Sequence, residues 1–207
     1  MLPQLVCLTQ AAKNLGVPYT THDPNKNLIR LQVGGTWYLF QKNYTPFNTE
    51  TEANICLDKE HTYHLLHEAV RMPKTLGFFD AQQAAKYPNY AGHQSVAAMV
   101  ADAEAALSYP MVIKRNRGAL ANQVYLVEDR QQATEALTAI FNHQHKGYDY
   151  VALAQEYVPA HKEYRVVFFR QKPLLAYERF AGEVAFKAGY WNLPEGSSIY
   201  VDDLALL

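Results

Sequence analysis

Lys114 interrupts an apolar run: in "YPMVIKRNRGALANQVYLVED", residues 109–129, it directly follows Met111, Val112 and Ile113. Side chains alternate between the faces of a strand, so Val112 and Lys114 share one face and Met111, Ile113 and Arg115 the other. A buried ammonium without a partner is costly, so a lysine set in a cleft meets a carboxylate or a phosphate. The same spacing fits a half-exposed strand whose lysine snorkels into water, and spacing alone does not choose between the two. The loop that follows, "RNRGALANQ", is small and polar around Gly118 and Ala121, which suits backbone N–H groups laid over phosphate oxygens.

Several other chemistries are excluded. There is no GxxxxGK[ST] loop, no GxGxxG after a strand, and neither the HRD nor the DFG motif of protein kinases. His61, His64 and His67, spaced by three, spread across about 120° of a helix surface, and no cysteine or carboxylate set completes a metal site with them. His143 and His145 decorate a loop, and the 15 tyrosines lack the regular spacing of a base-stacking platform. With 19 basic and 20 acidic side chains the chain has no general attraction for nucleic acid or anionic membranes, so neither is an expected partner and any anion site must be built locally. Cys7 and Cys56 are too few for a disulfide framework, which predicts a reducing, cytoplasmic setting. No apolar run approaches the roughly 20 residues that span a bilayer, so a soluble protein is expected.

These residues need elements to hold them, and 207 residues with 49% hydrophobic side chains can bury a core of one or two domains plus a partial one. Over residues 1–57, Leu8, Ala11, Ala12 and Leu15 predict a short helix ended by Gly16. Then "NLIRLQVGGTWYLF" predicts two strands about a Gly34-Gly35 hairpin turn. Asp58 suits an N-cap, with Leu65, Leu66 and Ala69 marking the buried face of the helix it starts. "RMPKTLGFF" reads as an extended link, because Pro73 disfavours helix just before it. Helices follow behind Ser95 (Val96, Met99, Val100, Ala103, Leu107) and through Ala133, Leu137, Ile140 and Phe141, and then the strand "YVALAQEYV". Beyond Pro159, "YRVVFFR" and "PLLAYERF" form two strands joined by a "QKP" turn. The end is loop-like, with "VDDLALL" opening a helix. This mixture of helices and strands is α+β or α/β.

Four stretches in order, "DKEHT" (58–62), "PKTLGF" (73–78), the 109–129 segment and "AQEYVPAHKEYRVV" (154–167), resemble the ATP-grasp family of carboxylate ligases, over roughly residues 12–200. The likeness is strongest to the glutathione-synthetase-like, cyanophycin-synthetase-like and ribosomal-protein glutamate-ligase-like group, whose stretch before the core is similar to "AAKNLGVPYTTHDPNKNLIRLQVGG". The resemblance implies two α+β lobes with mixed and antiparallel sheets that hold ATP between them. Residues 1–57 would precede the core, 58–158 form its central subdomain, and 159–207 start a C-terminal lobe that is incomplete. It also implies a reaction: ATP activates a carboxylate as an acyl phosphate, an amine displaces the phosphate, and ADP and phosphate are released.

By the same resemblance, Lys59 and Lys114 clamp the phosphates of ATP beneath the loop at Gly118, as compact charges that offset repulsion between triphosphate and carboxylate. Gln155, Glu156, Tyr157 and Val158 match the segment that meets the adenine edge, and Glu163 the acid that receives the ribose hydroxyls. Arg165 and Arg179 match arginines facing the phosphates or acyl phosphate, and Asn192 an asparagine near the transferred group. The alternatives are ordinary: Lys59 as a helix-start lysine, and Glu163, Arg165 and Arg179 as solvated sheet residues.

The pattern is broken twice. Ala121 and Gln123 stand where relatives often carry glycine, giving a stiffer, bulkier loop. The family's Mg2+ ligands, an acid and then a Glu and Asn pair on late strands, are expected beyond residue 207; Asp202 and Asp203 precede a helix-like end and are not taken as ligands. Without that metal the transfer loses much of its charge stabilisation. The expectation is therefore part of a longer ligase, inactive alone, with ATP, a carboxylate and an amine as partners and exposed sheet that favours homo-oligomers. A nucleotide-binding pseudoenzyme or regulatory module without turnover is the alternative, and a purely structural interaction protein is a third reading.

Overall fold

The computed structural model describes residues 2–42, 44–87, 92–93, 95–119, 121–159, 163–179 and 198–200. The chain divides into two compact units, Met1–Cys56 and Leu57–Leu207.

The first unit starts with α1 (Pro3–Asn14), whose proline sits where a missing N–H costs nothing. Strands β1 (Tyr19–Thr21), β2 (Leu28–Val33) and β3 (Thr36–Gln41) make an antiparallel sheet in that order. Gly34 and Gly35 take φ of 58° and 82°, the twist a two-residue hairpin needs. Leu5, Ala12, Ile29, Leu31 and Phe40 form a small core. Helix α2 (Glu50–Leu57) is not among the sequence expectations. A capping box holds its start: Thr49 N–H donates to Glu52 Oε2 at 2.7 Å, and Glu52 N–H donates to Thr49 Oγ1 at 3.2 Å.

The second unit runs α3 (Lys59–Leu66), β4 (Thr75–Phe79), α4 (Ala81–Ala84), α5 (Val96–Ala106), β5 (Met111–Arg115), β6 (Val124–Val127), α6 (Arg130–Ile140), β7 (Val151–Glu156), β8 (Glu163–Phe169), β9 (Lys172–Arg179) and β10 (Ser198–Tyr200). Side chains of Asp58, Ser95 and Asp129 accept from the N–H groups of His61, Ala98 and Gln132, starting α3, α5 and α6. Four strands form an antiparallel sheet in the order β4-β7-β5-β6. One face packs on α5 and α6 through Phe78, Met99, Met111, Ile113, Leu137, Ile140, Ala152 and Ala154. The opposite face carries Thr75, Gly77, Val112, Lys114, Leu153 and Gln155, with Lys114 and Gly77 each paired to Leu153. Lys114 thus lies on the face turned away from the helical core.

Three expectations change. Leu65 and Leu66 are 63% and 38% exposed and Ala69 lies past the end of α3, so the expected apolar face is not buried. The helix meets the sheet through its polar first turn instead, where Glu60 lies against Gly77. "TLGFF" is more than a link: it forms an edge strand, and Pro73, just before it, removes no ladder bond. The turn between β8 and β9 is Arg170-Gln171, one residue earlier than "QKP", with φ of 47° and 65°. β10 pairs with β9 in the second sheet, and "VDDLALL" lies outside the described residues. With its helices and its antiparallel sheets, the fold is α+β.

Leu137 is fully buried between α6 and the sheet. Leu137→Ala should lower stability by about 2–5 kcal/mol in denaturant titrations of the whole chain. A loss below about 1 kcal/mol would show that this layer is not the core.

Candidate functional site

Lys59 and the loop between β5 and β6 meet at the first turn of α3, and the charge of Lys59 reaches Lys114 on β5. Lys59 is the first residue of that helix, and its Nζ donates to the carbonyls of Asn116 at 2.7 Å and Gly118 at 3.1 Å. Asn116, 1% exposed, joins loop and helix a second time: its Oδ1 accepts from the Glu60 N–H at 2.9 Å. Asp149 fixes the loop from the other side, accepting from the N–H groups of Arg117 at 2.6 Å and Val151 at 3.2 Å. Arg117 Nε also faces Asp58 Oδ2 at 3.5 Å. Burial works against the Asp58 charge, but the His61 N–H, the Asn116 amide and the charges of His61 and Arg117 outweigh it and hold the carboxyl below its usual range.

Lys114 Nζ donates to Gln155 Oε1 at 2.7 Å, Gln155 Nε2 donates to Thr75 Oγ1 at 2.7 Å, and the Thr75 hydroxyl donates to the Pro73 carbonyl at 2.9 Å. This chain crosses three strands of the sheet and ends without a carboxylate. Burial, and then the positive charge of Lys59, lower the Lys114 ammonium from 10.5 to about 8. Lys59 is lowered too, by burial and then by Arg115, against the opposing pull of Asp149 and Asp58. The charge of Lys59 thus acts on Lys114, whereas the charges that act on Lys59 are those of Arg115, Asp149 and Asp58. An ammonium has three N–H donors; Lys59 gives two to carbonyls and Lys114 one to an amide, which leaves donors for an added anion.

Gly118 packs closely as well: a Cβ there would lie 2.1 Å from Arg115 Nε, so a larger residue would require the Arg115 guanidinium to shift. Ala121 and Gln123, at the positions where the sequence departs from the family pattern, hold φ of 52° and 54°. The loop keeps a left-handed backbone at both places without glycine, at a cost of about 1–2 kcal/mol per residue.

The other sequence-predicted residues divide by element. Gln155 belongs to this corner, and Glu156 is tied to the neighbouring strand: its N–H donates to the Lys74 carbonyl at 2.8 Å, and its Oε2 accepts the Lys74 N–H at 3.1 Å. Tyr157 and Val158 follow as exposed residues. Glu163, Arg165 and Arg179 are on the other sheet, where Glu163 pairs with Arg179, and Arg165, exposed, pairs with Tyr177. Asn192 lies outside the described residues. Asn116 and Asp149, the two loop anchors, were not anticipated; their partners are 56 and 32 residues away, and no local spacing marks them. Asp58, Glu60 and His61 bring ligand atoms within 4.8 Å of one another, a grouping the histidine spacing does not suggest.

No family model matches the sequence, and no curated protein matches it. Solved structures show partial likeness. A bifunctional glutathione synthetase from Pasteurella multocida aligns at 17% identity with a TM-score of 0.46, covering 84% of this chain and 21% of its own. A D-alanine–D-alanine ligase from Bacillus anthracis aligns at 20% and 0.46, covering 72% and 41%. The VanG D-Ala:D-Ser ligase from Enterococcus faecalis aligns at 20% and 0.45, covering 60% and 32%. The chain thus spans less than half the length of these structures, and the chemistry rests on its own residues.

Two measurements follow from this corner. A lysine lowered to about 8 when folded and ordinary when unfolded binds its proton less well in the native state, so the stability it withholds at neutral pH returns as pH rises above about 8. Thermal melts from pH 7.5 to about 9.5 should show Tm rising in the wild type and a flatter profile in Lys114→Met. The window stops short of 10, because Tyr109 and Tyr148, both pushed up to about 12 by burial first, act in the opposite direction there. Equal slopes in both proteins would contradict the lysine assignment. In denaturant, Ala121→Gly should stabilise the chain by about 0.5–1 kcal/mol, the left-handed strain relieved less the entropy glycine adds to the unfolded state.

Proposed function

We propose that this chain is the nucleotide-gripping part of an ATP-grasp carboxylate–amine ligase. The observation that carries the reading is the pair Lys59 and Lys114: two ammonium groups lowered by burial, the second also by the first, beside a loop anchored at both ends. An ATP triphosphate resolves that repulsion and uses the donors that remain. The resemblance of the four ordered segments supports the same reading.

In this reading Lys59 and Lys114 bind phosphate oxygens and the Gly118 loop covers them. The stretch Gln155, Glu156, Tyr157 and Val158 meets the adenine, and Glu163 the ribose. Arg165, Arg179 and Asn192 face the transferred phosphoryl group. Mg2+, which the resemblance implies, would supply charge neutralisation at the phosphates, and no described residue is assigned as its ligand. A substrate carboxylate oxygen attacks the γ-phosphorus and expels ADP. An amine then attacks the acyl carbon, expels phosphate and loses its proton, leaving an amide. The residues described include no helix long and apolar enough to cross a membrane; the cytoplasmic setting in this reading rests on the scarcity of cysteine.

The test is calorimetric titration of the 207-residue chain with Mg-ATP. Lys59→Ala and Lys114→Ala should each weaken binding about 10- to 100-fold, the usual worth of a charged hydrogen bond, while the exposed Lys13→Ala leaves it unchanged. Binding untouched by either site substitution, in folded variants, would overturn the reading. So would a longer chain that releases AMP.

A further inference from the structure

Lys59 and Glu60 are neighbours on α3, yet their side chains project about 100° apart around the helix. Lys59 reaches the loop carbonyls, whereas Glu60 lies flat on β4 at Gly77, where a Cβ would sit 1.9 Å from Glu60 Oε1. A larger residue at position 77 would displace this carboxylate from the strand. The Glu60 carboxylate lines a cavity of about 740 Å³ together with Asp58, Phe79, Tyr148 and Tyr150. Burial, and to a lesser extent the charge of Asp58, raises the Glu60 carboxyl above its ordinary value against the pull of His64 and His61, and among the described residues it accepts no hydrogen bond and makes no ion pair.

Two features give the cavity a sign. Asp58 is already matched, with its carboxylate on the His61 N–H and near Arg117, so Glu60 is the lining carboxylate that has no hydrogen bond or ion pair among the described residues, with only the more distant charges of His64 and His61 acting on it. The aromatic groups are fixed: Phe79 and Tyr150 meet edge to face at 6.0 Å, and the Tyr148 hydroxyl donates to Asp80 Oδ2 at 3.0 Å, which also faces His143 Nε2 at 2.7 Å. Ring faces attract cations and accept methylene chains.

We propose that this cavity binds a primary alkylammonium group, with its N–H donors on Glu60 and its methylene chain along Phe79, Tyr148 and Tyr150. A single unmatched carboxylate suits a monovalent ammonium. A divalent ion would need several oxygen ligands, and the Arg117 guanidinium beside Asp58 opposes one. The proposal does not rest on the nucleotide reading, since Glu60 and the aromatic wall take no part in it.

The test uses the whole 207-residue chain, titrated with n-butylammonium chloride, with n-butanol as its neutral counterpart and with MnCl2. Saturable binding of butylammonium and none of butanol is expected, with about a tenfold loss in Glu60→Gln and about threefold in Tyr150→Leu, which keeps bulk but removes the ring. Affinity for Mg-ATP stays unchanged in Tyr150→Leu, whose side chain lies outside the lysine corner, so failure here is distinguishable from failure of the nucleotide reading. Circular dichroism melts establish that each variant folds, and if Glu60→Gln does not, Tyr150→Leu decides. Equal binding of butanol, insensitivity to the substitution in a folded variant, or a Mn2+ affinity exceeding that for butylammonium would overturn the proposal.

Discussion

Two like charges held together in a half-buried corner are the constraint around which this unit is organised. Lys114 and Lys59 come from different elements, a central strand and a helix start, and both are lowered by burial, with Lys59 adding its repulsion to Lys114. Neither has a carboxylate within ion-pair distance among the described residues; their partners are two carbonyls and an amide. Neutral acceptors satisfy donors but do not cancel charge; Asp149 and Asp58 offset part of the charge of Lys59, and no carboxylate offsets that of Lys114.

The surrounding structure keeps the two lysines from moving apart. The α5 and α6 layer fixes one face of the four-stranded sheet, which leaves Lys114 on the other. Asn116 and Asp149 tie the loop to α3 and to the start of β7, and Gly118 lets the loop close over Arg115. Glu60 on Gly77 seats the first turn of α3, which is where Lys59 begins. The same turn thus presents a cation to the loop and an anion to the aromatic cavity, one residue apart.

Alternation in "MVIKR" was enough to place Lys114 opposite Met111 and Ile113, because strand geometry has a fixed period of two. The Gly34-Gly35 turn and the Asp58 and Ser95 caps were legible for a similar reason, since each is a local hydrogen-bonding or backbone requirement met by a residue type. The Thr49 to Glu52 capping box is likewise local, a threonine followed three residues later by a glutamate. Other features were not local at all. The anchoring of the loop by Asn116 and Asp149, the fit of Glu60 on Gly77, and the exposure of Leu65 and Leu66 depend on which elements pack together, and no window of sequence contains both partners. Edge strand β4 was read as a link for the same cause, as its pairing partner β7 lies more than seventy residues later.

The most direct measurement of the central claim is the titration of the Lys114 side-chain ammonium by nuclear magnetic resonance, in the free protein and with Mg-ATP added. The account predicts a midpoint near 8 in the free protein, moving upward when the triphosphate is present. A midpoint at the ordinary 10.5 in the free protein, or one unmoved by nucleotide, would contradict it.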